Sequence, residues 1–339
     1  MVMAAPERPL ADRVIGLRSS RGLATISIAL VALAGASVVF ARSSVSGGAL
    51  QGMLPFAAVL AIAGLGQTLV VQQGGIDLSV PGAISLTVVI CTHQADGVNS
   101  KLLPAVLTAL AATIVAGLLN GFLAGRLGIN PIVATLGMNA VLYAAVFQVS
   151  GGVPRSTTTL LANIAGGTSF GIPNAIYFAV GAVIVTTVVV KGTVVGRRFE
   201  ATGANPSAAW AAGLRVKRHQ SGAYVWAQIL YCLAGVMLAG IVAQPTAYEG
   251  DNYLLPSVAV VVLGGTSLLG GRGNLVASAI AALFLSQLDQ FVLALGVTFA
   301  VQTLVQAAAL AAGVALYTIN WHAAWSRLPS RTRGPTVLT

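Results

Sequence analysis

Apolar runs long enough to cross a bilayer follow one another from residue 23 almost to the C-terminus, with little between them that could form a separate soluble core. They lie roughly at 23–41, 48–72, 79–94, 102–125, 131–150, 174–190, 221–243, 254–269, 274–294 and 299–319. A crossing helix needs roughly 20 apolar residues. A soluble domain carries about 25% charged residues, whereas this chain of 339 residues carries 8%, with 56% hydrophobic. The polar side chains are too few to coat a water-soluble globule of this size, so lipid must do so. The expected fold is an all-α integral membrane protein of about ten transmembrane helices.

The charges test that count. The net charge is +10, and in a membrane chain basic residues first report topology, because cytoplasmic loops retain Lys and Arg. With the N-terminus inside and ten crossings, 15 of the 18 basic residues fall on the cytoplasmic side, leaving Arg42, Lys101 and Arg155 outside. One span more or fewer would scramble this asymmetry. The reading therefore places both termini in the cytoplasm, with tails at 1–22 and 320–339 around a polytopic domain at 23–319. The basic tail before the first run is long and no small-residue cleavage site follows, which favours an uncleaved anchor. This use of charge leaves no call for a nucleic-acid partner. Cys91 and Cys232 lie in apolar runs without metal-site spacing and read as small buried hydrophobes.

Two runs, 79–94 and 254–269, are short, and each abuts a Gly-rich break: QGGIDLSVPG at 73–82 and LGGTSLLGGRG at 263–273. Paired interrupted helices in two halves of a transporter flank a translocation path, and irregular backbone survives at membrane depth only where protein or a water-filled cavity shields it. Two tight turns at the membrane surface are the alternative. On the first reading Gly74, Gly75, Gly264 and Gly265 line a pathway. The spacing of Gly117, Gly121 and Gly125, one small residue per helical turn, is that of close helix–helix packing.

Asp77 is the sharpest single residue, since an ionisable group among apolar spans is costly. Standing before Ser79 and Pro81, it reads either as a helix cap or as a group in the pathway. Asp289 and Asn120 are further pathway candidates, and Gln67, Asn139, Gln148, Gln228 and Gln302 are scattered amides that suit interhelical hydrogen bonds or a neutral, hydroxyl-rich cargo. Chemistry of other kinds is missing from the sequence. No Gly-Lys pair exists to build a phosphate-cradling loop, the three histidines are dispersed, and no catalytic or metal-ligating constellation stands out. The residues favour permeation over catalysis.

Taken together, QTLVVQQGGIDLSV at 67–80, LLNGFLAGRLGINPIVATLG at 118–137, SGGVP at 150–154, FGIPN at 170–174, GRRFEATGANPSAAWAAGLRVKR at 196–218 and AVVVLGGTSLLGGRGN at 259–274 resemble the permease subunits of bacterial ribose-type sugar ABC importers. The resemblance implies the ABC importer permease fold, with discontinuous helices and a cytoplasmic coupling segment at 191–220. A short helix at 204–213 would there dock on a separate ATPase, with Gly196, Arg197, Gly203, Asn205, Ala208, Ala209 and Gly213 matching the family pattern. The residues suit that role: Asn205–Pro206 starts a helix, small residues surround Trp210, and Gly213 ends it.

The same resemblance implies a second permease copy or paralogue, two ATP-binding subunits that carry ATP and magnesium, and a periplasmic or lipid-anchored sugar-binding protein. It places the chain in the bacterial cytoplasmic membrane with a small sugar or polyol as cargo and no cofactor of its own. The chain departs from the family where relatives often carry Lys and Gly, at Gln306 and Ala307, and often Asn, at Asp289. A permease for branched-chain amino acids or nucleosides, and an ATPase-independent secondary transporter, are the alternatives.

Overall fold

Lipid offers the backbone no hydrogen bonds, so a chain with these runs satisfies its peptide groups within helices. The computed structural model describes residues 21–298, 300–305, 307, 308 and 311. The helices are α1 (Arg21–Phe40), α2 (Gly47–Gln72), α3 (Val80–His93), α4 (Leu102–Asn120), α5 (Pro131–Ser150), α6 (Asn174–Thr187), α7 (Val194–Ala204), α8 (Pro206–Ala211), α9 (Val216–Ile241), α10 (Leu254–Leu263) and α11 (Leu275–Ala294). Among the described residues, seven helical stretches are long and apolar enough to cross a membrane, and two apolar ones, Val80–His93 and Asp251–Leu263, are shorter. These nine match the first nine expected spans. The tenth lies mostly outside the described residues, as do Gln306 and both expected tails, apart from the first residues of α1.

The centre is the pair α2 and α9. Within the most apolar window of each, 89% of α2 and 72% of α9 is buried, against 11% of α1. Around the pair, α9 also packs on α3 and α4, α11 on α2 and α1, α6 on α2, and α5 on α3. The one sheet among the described residues is a two-stranded hairpin, Thr168–Ser169 with Ile172–Pro173, ahead of α6.

The basic segments gather at one end of the bundle. Lys217 Nζ donates to the Arg126 carbonyl (3.1 Å), Lys191 pairs with Glu200, and Gly271, beside Arg272, lies against Ala204. At the other end Arg155 pairs with Asp96 (2.5 Å) and the Asn99 side chain holds Thr159 and Leu160. Both α4 and α6 run out into π-type turns at the basic end, Gly121–Arg126 and Val188–Gly192. α9 begins five residues earlier than hydropathy indicated, because Val216–Gln220 is helical although charged.

The α4 glycines are packing glycines. A Cβ at Gly117 would lie 2.8 Å from Val225 Cα, one at Gly121 2.6 Å from the Ser221 carbonyl oxygen, and one at Gly125 2.5 Å from Ser221 Oγ. With no side chain in the way, the Ser221 hydroxyl donates to the Gly121 carbonyl at 2.6 Å. Gly121→Val should therefore lower the thermal stability of the detergent-purified protein, at the overpacking cost of about 1–3 kcal/mol. Gly137→Ala, where a Cβ meets nothing within 4 Å, should leave it unchanged. Equal losses in the two melting curves would overturn the packing account.

Candidate functional site

α3 is 14 residues long, about 21 Å at 1.5 Å per residue, and cannot span a hydrocarbon core of about 30 Å. Its N-terminal N–H groups therefore emerge where there is no water, and neighbours must satisfy them. Thr135 and Asn139 stand one turn apart on α5, on one face. The Thr135 hydroxyl accepts from Leu78 N (2.9 Å) and Asn139 Oδ1 accepts from Gly82 N (2.9 Å). Pro81 has no N–H to satisfy. Asp77 Oδ1 accepts from Ser79 N (2.9 Å) and from the Ser79 hydroxyl (2.5 Å). Asp77 is thus tied into the first turn of α3.

The Ser79 hydroxyl in turn accepts from Asn120 Nδ2 (3.0 Å) on α4 and Gln228 Nε2 (2.8 Å) on α9. One donated and two accepted bonds use its whole capacity. Gln67 on α2 lies 3.0 Å from Tyr231 Oη. In the orientation that satisfies both ends of its amide, it donates to the Asp77 carbonyl (3.2 Å) and accepts from Asp77 N (3.3 Å). Gln67, Asp77, Ser79, Asn120, Gln228 and Tyr231 are all fully buried. Three helices, α2, α4 and α9, and the break thus share one polar cluster with no access to water, so the first break is not a surface turn.

The second break, 264–274, is more open: Leu269 is 95% exposed. It nonetheless folds back onto the first. Gly271 N donates to the Gln72 carbonyl at the end of α2 (2.9 Å). A Cβ on Gly270 would lie 3.1 Å from Gly74 N, and one on Gly273 would collide with the Gln72 side chain. α7 arrives at the same point. A Cβ on Gly203 would overlap the Gln72 carbonyl, one on Gly271 would lie 2.9 Å from Ala204 Cα, and Gln73 Nε2 donates to the Phe199 carbonyl at 2.9 Å. Both breaks and α7 therefore meet backbone to backbone around Gln72, a contact that only glycine at 203 and 271 permits.

The expected helix at 204–213 is shorter, Pro206–Ala211, and a second helix, α7, precedes it. Thr193 starts α7 by accepting from Gly196 N (3.0 Å). Asn205, extended at φ −157°, separates the two helices and caps α8 by accepting from Ala208 N (3.0 Å). Gly213, at φ +80°, supplies the left-handed turn that stops α8. Gly196 abuts the carbonyls of Val189 and Val190, and Arg197 is exposed. Ala208 is exposed and Trp210 is 75% exposed, whereas Ala209 is turned into the chain at 5%. Every residue of α8 but Ala209 is exposed, and Trp210 lines a basic groove of about 710 Å³ together with Arg126, Arg215, Lys217 and Arg218.

Of the residues singled out in the sequence, Asp77 and Asn120 come together in the buried cluster. Gly74 touches the second break through Gly270, while Gly75 packs on the Tyr224 hydroxyl. Gly264 packs on Ser278, and Gly265, at φ +77°, lies against Gly22. Asp289 stands apart, half-buried and 14 residues along α11 from Leu275, about 21 Å away. Gln287, beside it, ties α11 to Ser37 (3.1 Å). Thr135, Gln72 and Gly271 were not singled out in the sequence reading, and Ser79 was read there only as part of a helix start. Spacing gave no signal for Thr135 and Gln72, whereas Gly271 stood inside the second Gly-rich break, LGGTSLLGGRG at 263–273.

Asp77→Asn keeps an acceptor for Ser79 N and should melt close to the parent protein. Asp77→Ala leaves that N–H buried without a partner and should cost about 1–3 kcal/mol, read as a lower melting temperature of the detergent-purified protein. Equal melting of the two variants would sink the capping role.

Comparison with known proteins fits this architecture. The sequence model of the family described as the branched-chain amino acid transport system permease component matches residues 49–314. A probable ABC transporter permease protein of Sinorhizobium fredii is 33% identical over 291 residues, covering 83% of this chain and 86% of the relative. The ribose import permease protein of Escherichia coli K12 is 33% identical over 256 residues (74% and 79%). The fructose import permease protein of Rhizobium meliloti is 29% identical over 277 residues (79% and 77%). No solved structure matches the chain significantly. With a family match across most of its length and relatives aligned over most of theirs, the chain belongs to this family of ABC transporter permeases, multi-pass proteins of the bacterial inner membrane.

Proposed function

We propose that this chain is the permease subunit of an importer that moves a small sugar or polyol across the cytoplasmic membrane by alternating access, driven by ATP hydrolysis on partner subunits. One observation carries the mechanism: the end of α7 and both helix breaks share backbone contacts at Gln72. A displacement of α7–α8 reaches the starts of α3 and α11 without passing through a flexible side chain. Asp77 and Asn120 sit in the cluster that this displacement would strain. The sugar class rests on the relatives named for ribose and fructose import.

In this reading the basic end is cytoplasmic and both termini lie there, flanking the domain at 23–319. ATP and magnesium are bound by two partner ATPases, and a second permease copy or paralogue completes the pathway. A periplasmic or lipid-anchored binding protein delivers cargo to the opposite end. Gly196, Arg197, Gly203, Asn205, Ala208, Ala209 and Gly213 shape the coupling segment, with Ala209 anchoring α8 from within. Trp210 is the docking anchor, and the other exposed residues of α8, Ala208 among them, would be enclosed by the partner. An exposed tryptophan beside a groove with four basic residues suits an apolar pocket rimmed by acids.

Trp210→Ala and Ala208→Arg should each insert normally and reach normal membrane levels. Uptake of the transported sugar, with ribose and fructose the first to assay, should fall tenfold or more, and the ATPase should no longer co-purify. A buried tryptophan anchor is worth about 2 kcal/mol or more. Parent-level uptake by both variants would sink the docking role.

Orientation has its own test. Single cysteines at the exposed positions Ser156 and Ser207, in a protein lacking Cys91 and Cys232, should label from opposite sides of sealed cells, Ser156→Cys from outside. Labelling of both from one side would overturn the topology.

A further inference from the structure

Between α6 and α9 the bundle leaves a continuous groove. Residues of both helices line it. At the basic end the groove opens into a cavity of about 320 Å³, walled by Val190, Phe199 and Trp226, with Arg218 and His219 at its polar edge. Trp226 also lines the next stretch, about 460 Å³, which runs between Tyr177 and Leu233 toward the other end. A second groove, between α2, α6 and α11, is lined only by apolar side chains and has no basic group. The α6–α9 groove thus joins an apolar trough to a cationic mouth.

Two further observations point to an occupant. Gly222 lines the cavity and Gly181 the trough, yet a Cβ on either meets nothing within 4 Å. Glycine is the weakest ordinary helix former, and packing within this chain does not require it at either position. The glycines keep space open. Thr186, a buried residue of the trough wall one helical turn from Val190, keeps its hydroxyl without a hydrogen-bond partner.

We propose that this groove is a binding site for a single anionic phospholipid. Its phosphate sits at Arg218 and His219, and an acyl chain lies over Gly222 and Gly181 against Trp226. Basic pockets at the ends of transmembrane helices attract anionic headgroups, and tryptophan is at home at the depth where headgroup meets chain. The site shares the α7 wall with the coupling segment, so the lipid would brace α7 against α9.

The test uses the full-length protein in detergent with Trp210→Phe, Trp321→Phe and Trp325→Phe, leaving Trp226 as the sole tryptophan. Titration with phosphatidylglycerol or phosphatidylcholine brominated on the acyl chains reads occupancy as quenching. Phosphatidylglycerol should quench at the lower mole fraction. Arg218→Gln should shrink that preference about fivefold, the equivalent of one surface charge at about 1 kcal/mol. Gly222→Leu should reduce quenching by both lipids. Equal quenching by the two lipids, or a preference that survives Arg218→Gln, would overturn the site. So would efficient disulfide formation between copies carrying Gly181→Cys in native membranes, which would assign the groove to a second copy. None of these readouts depends on sugar uptake or ATPase docking, so the site and the proposed function stand or fall separately.

Discussion

A helix that begins inside a membrane must find partners for its first N–H groups where there is no water, and the start of α3 meets that demand in full view. Leu78, Ser79 and Gly82 donate to Thr135, Asp77 and Asn139, while Pro81 brings no donor. An orphaned buried donor costs about 1–3 kcal/mol, so each of these bonds constrains more than it adds. α5 is fixed to α3 by two of them. Ser79 then recruits α4 and α9 through Asn120 and Gln228. The arrangement of the central helices follows from satisfying one broken end.

Glycine does the complementary work at Gln72. Hydrogen bonds position the break, but the absence of side chains lets three segments share backbone contacts there. Gly203 and Gly271 bring α7 and the second break against the carbonyl of Gln72. A methyl group at either position would push the segments apart. Backbone contacts transmit displacement with little loss, since neither partner has rotamers to absorb it. This is a physical basis on which a push at α8 could reach two discontinuous helices together.

The exposed and buried sides of α8 differ in kind. Ala209 packs into the chain, and Trp210 stands out from it. The resemblance matched Ala209 to a small residue of a docking helix, and in the structure it faces into the chain. Asp289 shows the opposite case: an ionisable residue in an apolar span that lies far from the junction and close to Gln287, which ties α11 to α1.

From its sequence alone this protein was determined to be a bundle of membrane-crossing helices with two glycine-rich interruptions and one basic end. Those features depend on local composition: hydropathy over about 20 residues, positive charge in loops, and glycine where helices stop. The caps of α8 were legible for the same reason, since Asn205, Pro206 and Gly213 act within a few residues of themselves. The start of α9 was not, because a helix continues through Val216–Gln220 after hydropathy ends. What only the tertiary structure decided were partnerships across long separations: Asn139 with Gly82, Gln228 with Ser79, Gly203 and Gly271 with Gln72. A hydrogen bond or a close backbone approach depends on two segments whose spacing in sequence carries no trace of their distance in space, and that distance is set by packing.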